Sequence, residues 1–138
     1  MPQSKVLALD YGKKRIGVAS GDIHARVAFP RAVIENKGFS YVAAEVKKIV
    51  EDIGATKIVL GIPFNMDDSE SKMSLEIRKF AETLSAVTGL DVVFFDERLS
   101  SFEADELMKS ANKTTRDKKT HRDVYAAQII LQHFFDSI

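Results

Sequence analysis

The stretch Val6-Leu7-Ala8-Leu9-Asp10-Tyr11-Gly12-Lys13-Lys14-Arg15-Ile16-Gly17-Val18-Ala19 joins two apolar runs through a short charged turn. Residues 6–9 offer no polar face, which is what a central strand covered on both sides requires. The run stops at Asp10 and Gly12, and Ile16-Gly17-Val18-Ala19 follows as a second strand. Val27 to Ile34 makes a third, and its Pro30 has no N–H to give to a ladder, which places that strand at an edge. The chain therefore opens with an antiparallel meander.

Beyond residue 40 the period changes. Val42, Val46, Ile49, Val50 and Ile53 recur at helical spacing, with Ser40 as N-cap and Gly54 as the stop. Lys57 to Ile62 is a fourth strand running into the loop Pro63-Phe64-Asn65-Met66-Asp67-Asp68. A second helix carries Met73, Ile77, Phe80, Ala81 and Leu84 on one face and ends near Gly89. Val92-Val93-Phe94-Phe95 is the fifth strand, with Asp96 and Glu97 at its C-terminal end. Ser100 and Glu103 have capping-box spacing for a short helix holding Leu107 and Met108, and a last helix from about His121 turns Val124, Ala127, Leu131 and Phe134 to the core. This order predicts an α/β fold with a mixed five-stranded sheet, three antiparallel strands then two parallel, flanked by helices. No repeat or linker interrupts it, so residues 1–138 read as one domain.

With 138 residues, 45% hydrophobic and 29% charged, the chain can bury one core and is expected to hold one active site. The absence of cysteine excludes disulfides, thiolate zinc sites and cysteine nucleophiles. Met1 to Lys5 enters an apolar run far too short for a signal-peptide core or a membrane span, so a cytoplasmic location with no membrane partner is expected. Net charge is zero, but from Lys109 to Arg122 the residues Lys109, Lys113, Arg116, Lys118, Lys119 and Arg122 face only Asp117 as a counter-charge. Such a segment suits phosphates, and equally a solvated loop.

Three acids stand where elements end or begin. Asp10 follows a buried strand, at the sheet end where ligands of open α/β folds bind, and Glu97 closes the fifth strand beside Arg98. Asp123 opens the last helix one turn ahead of Ala126 and Ala127, whose small side chains would let that helix approach the sheet. Each has an ordinary alternative: a turn-former at Asp10, a surface acid paired with Arg98 at Glu97, a dipole-favoured acid at Asp123. Together, three carboxylates without a thiol are a hard-ligand set suited to Mg²⁺ or Mn²⁺, which can drive phosphodiester hydrolysis without a histidine base. Lys13, Lys14 and Arg15 follow Asp10 directly, Asn65 leaves another strand end on the same side, and Lys113, Arg116, Lys118, Lys119 and Arg122 lead into Asp123, all as candidate nucleic-acid contacts. Asp67 and Asp68 read as turn residues, and His24, His121 and His133 are scattered.

Four blocks, Leu9 to Ala19, Gly61 to Asp67, Asp96 to Ser100 and Asp123 to Gln132, resemble in order the motifs of the YqgF (RuvX) family. Asp68 departs from the glycine common there. The resemblance implies a ribonuclease-H-like fold, a cytoplasmic nuclease acting on the 5′ end of precursor 16S ribosomal RNA, and catalytic acids at Asp10, Glu97 and Asp123. It also implies a second reading, a Holliday-junction resolvase, which cuts two strands symmetrically and acts as a dimer. Structured RNA is the expected partner ahead of a DNA junction, with the chain a monomer or homodimer. A binding module without turnover would lose one of the three acids, and all three are kept. A nucleotide-binding domain of the actin and sugar-kinase type would need a second domain, for which 138 residues leave no room.

Overall fold

Along β1 (Lys5–Asp10) the side chains alternate between two separate cores. Leu7 and Leu9 enter a core shared with α1 (Phe39–Ile53) and α2 (Lys72–Thr88), while Val6 and Ala8 enter a second core under α3 (Thr115–Asp136). In the computed structural model the described residues are 5–63, 71–96 and 115–138, with 115–123 described by their backbone alone. With β2 (Arg15–Asp22), β3 (Val27–Glu35), β4 (Lys57–Ile62) and β5 (Val92–Asp96), β1 forms one sheet of order β3-β2-β1-β4-β5. β1–β2 and β2–β3 pair antiparallel, β1–β4 and β4–β5 parallel, as the patterning predicts. Pro30 lies on the edge strand, next to a register shift that the ladder makes between Val18 and Ala19. The short helix expected around Leu107 falls outside the described residues.

Two helix starts differ from the sequence reading. α1 is capped by Gly38, not Ser40: the Asn36 side chain accepts the Gly38 N–H at 3.1 Å, and this turn delivers the chain into the helix early. α3 begins at Thr115, six residues before His121, so most of the basic segment is helical and Asp123 lies in the third turn. The helix dipole, felt only in the first turn, therefore does not account for that acid. Apolar periodicity marks only the half of α3 from Val124 onward, while the lysines and arginines of residues 116–122, good helix formers, carry no such period. Phe135, fully buried, takes the core position expected of Phe134, which is half-buried.

α3 is fastened to the edge strand by two glutamines. Gln132 donates from Nε2 to the Arg26 carbonyl at 2.8 Å and accepts the Ala28 N–H at 3.1 Å; Gln128 donates to the Ala28 carbonyl at 3.1 Å. Stepping back along the helix from Gln132 to Gln128 thus moves forward along β3, so α3 runs antiparallel to β3 and to β1. Its preceding turns, the backbone of Asp123 included, run toward the end of the sheet where β1 stops. Alanines at 8, 19, 28 and 127 line the contact and let helix and sheet approach closely.

Candidate active site

Strand alternation carries Asp10 to the α3 side of the sheet, following Val6 and Ala8, and leaves it half-buried. Its neighbours in the same row lack side chains. Gly17 is its antiparallel partner on β2, and Gly61 follows the Leu9–Leu60 parallel pair on β4. The carboxylate thus rises from a strand held on both sides, with bare backbone left and right of it. One strand further, Phe95 pairs with Gly61 and packs in the α3 core, its ring edge-on to His133 at 5.9 Å. Val92 packs on the opposite core, so by the same alternation Asp96 lies on the α1–α2 side, away from Asp10.

The turn after Asp10 is pinned at three points. Tyr11 is buried against Phe80 and Phe39, with ring centroids at 5.0 and 6.3 Å, and its hydroxyl donates to Glu76 of α2 at 2.5 Å. Burial and the bond to Glu76 push the Tyr11 phenol above its ordinary pKa, against a smaller lowering by Asn36. Asn36 donates from Nδ2 to the Gly12 carbonyl and from its backbone N–H to the Lys14 carbonyl, both at 2.9 Å. Gly12 is needed here, because a Cβ would stand 2.5 Å from the Arg15 carbonyl oxygen. The exposed Lys13 and Lys14 and the half-exposed Arg15 are thereby presented beside Asp10, with Lys13 Nζ 4.0 Å from Glu76.

Of the three expected acids, Asp10 is placed with its side chain, Asp123 by its backbone in α3, and Glu97 lies outside the described residues. Arg98, Asn65, Asp67, Asp68 and Lys113 also lie outside them, as do the side chains of Arg116, Lys118, Lys119, His121 and Arg122. Among the described residues no group of three His, Asp or Glu side chains could hold a metal ion. The donor set still suits a hard cation: Asp10 offers carboxylate oxygens from a strand paired on both sides, with glycines at the facing positions of β2 and β4. Nothing in the sequence near Glu76 and Asn36 marks the bonds by which they hold the turn, to partners 65 and 24 residues away, and Gln128 and Gln132 stand in the last motif block without a sign of their partners 100 to 106 residues away. Asn36 could be read from sequence only as a turn-former before Lys37-Gly38.

The family model RuvX, described as Holliday junction resolvase, matches residues 4–137. A protein of Thermosynechococcus vestitus named "Putative pre-16S rRNA nuclease" is 34% identical over 132 residues, covering 96% of this chain and 87% of its own. Among solved structures, Thermus thermophilus RuvC in complex with a Holliday junction substrate superposes with a TM-score of 0.61 at 11% identity, over 97% of this chain and 94% of that one. The fowlpox virus Holliday junction resolvase gives 0.60 at 12% identity, over 97% and 99%. These structures share the ribonuclease-H-like sheet. Among the described residues no helix is long and apolar enough to cross a membrane.

Proposed function

The chain belongs to the RuvX family, and on that premise we propose that it is a metal-dependent endonuclease that processes the 5′ end of precursor 16S ribosomal RNA. The observation that carries the reading is Asp10: a half-buried carboxylate ending the central strand, between Gly17 and Gly61, on the face crossed by the helix of Asp123. Asp10, Glu97 and Asp123 would hold Mg²⁺ or Mn²⁺. When bound, two such ions would supply Lewis acidity at the scissile phosphate and lower the pKa of an attacking water. The chain's own part is to hold the acids and to seat the substrate.

Strand β1, paired on both sides, fixes Asp10, and the Tyr11–Glu76 and Asn36–Gly12 bonds prevent the following turn from drifting. Lys13, Lys14 and Arg15 contact phosphates next to the scissile one, with Asn65, Arg98, Lys113, Arg116, Lys118, Lys119 and Arg122 as further phosphate contacts. The residues 1–138 act as one nuclease domain, in the cytoplasm, as monomer or homodimer.

The family's description as Holliday junction resolvase favours a second reading, cleavage of a four-way DNA junction by the same acids. One experiment separates them: a precursor 16S RNA fragment and a four-way junction are each incubated with Mg²⁺ or Mn²⁺ and either the parent protein or Asp10→Asn. The RNA is expected to be cut and the junction spared, with cutting lost in Asp10→Asn. Cutting of the junction alone would transfer the site to the resolvase reading. Metal-dependent cutting of neither, or equal cutting by the variant, would remove the catalytic assignment.

A further inference from the structure

Asn36 ties the β3–α1 turn to the turn that follows Asp10, and so places Lys37 and the first exposed turn of α1 next to Lys13 and Lys14. Lys37 Nζ lies 5.3 Å from the centre of the Tyr41 ring, and that ring, 38% exposed, is one of the larger apolar surfaces left uncovered near the site. Lys13, Lys14, Arg15 and Lys37 share this corner with Glu35 and Glu76 as the nearby acids. The lysine pairs here are loose: Lys37 to Glu35 is 3.8 Å with both side chains more than half exposed, and Lys13 to Glu76 is 4.0 Å. Ion pairs this open contribute little and give way readily to a phosphate. One turn further, Glu45 and Lys48 pair at 2.7 Å and neutralise each other.

We propose that Lys37 and Tyr41 form, with Lys13 and Lys14, a binding surface for an unpaired nucleic-acid strand that leaves the scissile bond over the β3–α1 turn. This rests on the nuclease reading and deepens it. The chemistry has two parts. Ammonium groups on flexible stems meet phosphates and make affinity salt-dependent, whereas an exposed aromatic ring supports a base of any identity by stacking. Lysine and tyrosine side by side, with Lys37 already covering one part of the ring, fit a strand whose backbone runs along the lysines and whose unstacked base meets Tyr41. A regular duplex would offer phosphates without a free base face. Residues 37 and 41 have no motif to mark them in the sequence; the hydrogen bonds of Asn36 bring them to the site.

The test is a binding titration in the full-length Asp10→Asn background, without divalent metal, using a fluorescent single-stranded RNA of about 20 nucleotides and its duplex at several salt concentrations. Lys37→Ala is expected to weaken binding several-fold and to reduce the slope of log K against log salt by roughly one contact. Tyr41→Ala is expected to weaken the single strand by about 5-fold or more, leave the slope unchanged and spare the duplex, with Tyr41→Phe retaining binding. Lys37→Arg should restore the slope. Lys57→Ala, at the opposite end of the sheet, should change neither quantity, and the melting temperature of each variant verifies that it folds. If the parent binds and Lys37→Ala and Tyr41→Ala bind equally well, the surface is wrong while the nuclease reading stands. An equal loss in Lys57→Ala would reduce the effect to net charge and also overturn the surface. If the parent binds neither probe, the nucleic-acid reading itself fails.

Discussion

Gly12→Ala tests whether the turn beside Asp10 is as tightly held as its hydrogen bonds indicate. The added methyl would sit 2.5 Å from the Arg15 carbonyl oxygen, against the 3.4 Å at which ordinary contact begins, so about 0.9 Å must be found by moving backbone. Asn36 grips the Gly12 and Lys14 carbonyls, so the movement cannot be absorbed within the turn without losing a bond. It passes instead into Arg15 and β2, or into Tyr11 and Asp10. Overpacking of this kind costs about 1–3 kcal/mol, which in a chain this size lowers the melting temperature by roughly 3–10 °C. A shift near 1 Å at a catalytic carboxylate is expected to reduce turnover at saturating substrate on the order of 10²-fold, with binding in the absence of turnover nearly unchanged. Gly54→Ala is the matched control: φ is +73° with nothing within 4 Å of the new Cβ, so it strains the C-cap of α1 by about 1 kcal/mol without touching the site. Thermal melts and single-turnover cleavage of the same preparations decide the matter. Parental turnover in a folded Gly12→Ala protein, or an equal loss in Gly54→Ala, would refute the reasoning.

Three further outcomes follow from the same geometry. The raised pKa of Tyr11 means that the folded state holds the phenolic proton more tightly than the unfolded chain, so its contribution is complete below about pH 10 and is lost as pH rises through the folded-state value; the stability obtained from urea melts should fall more with pH across this range in the parent than in Tyr11→Phe. Gly21→Ala puts a methyl 2.7 Å from Phe135 Cε2 and 2.5 Å from the Val27 carbonyl, so it should destabilise by about 1–3 kcal/mol; Phe135→Leu should relieve the ring contact but not the carbonyl one, giving partial, non-additive recovery in the double variant. Gln132→Ala strips the partner from the Ala28 N–H, in a residue only 2% exposed, and should cost about 1–3 kcal/mol in chemical denaturation, whereas loss of a surface glutamine alone would cost well under 1.

What could be read from the sequence follows from the range of each interaction. The apolar runs of β1 and β4, the edge signal of Pro30 and the helical period of α1 and α2 are local patterns, and the sheet order agrees with them. Asp10 was legible for the same reason, as an acid directly after a buried strand. The start of α3 was not, because hydrophobic period reports contact with the sheet and the first half of that helix carries lysine and arginine in its place. Nor could the sequence reveal that Glu76 and Asn36 hold the turn, since nothing near either residue marks a partner 65 or 24 positions away.

The acids assigned to the site differ in how their positions are determined. Asp10 is held where it stands, by ladders on both sides of β1 and by the pinned turn that follows. Asp123 is placed through its helix: α3 packs on the sheet from Ala127 to Phe135 and is bonded to the edge strand through Gln128 and Gln132, so a rotation of that packed half is carried along the helix to the acid. At 1.5 Å per residue, Asp123 lies roughly 6 Å beyond Ala127, the last core residue on its side, and a tilt of about 10° displaces it by about 1 Å. This explains why two glutamines are spent on three backbone groups at one short stretch of an edge strand. A single bond would fix the distance of α3 from β3 but leave its angle free, whereas bonds one turn apart, to Ala28 from Gln128 and to Ala28 and Arg26 from Gln132, fix both. The same bonds occupy part of the exposed edge that would otherwise recruit another strand. Loss of Gln132 should therefore lower turnover by more than its cost in stability implies, because the fold tolerates a tilt that the site does not.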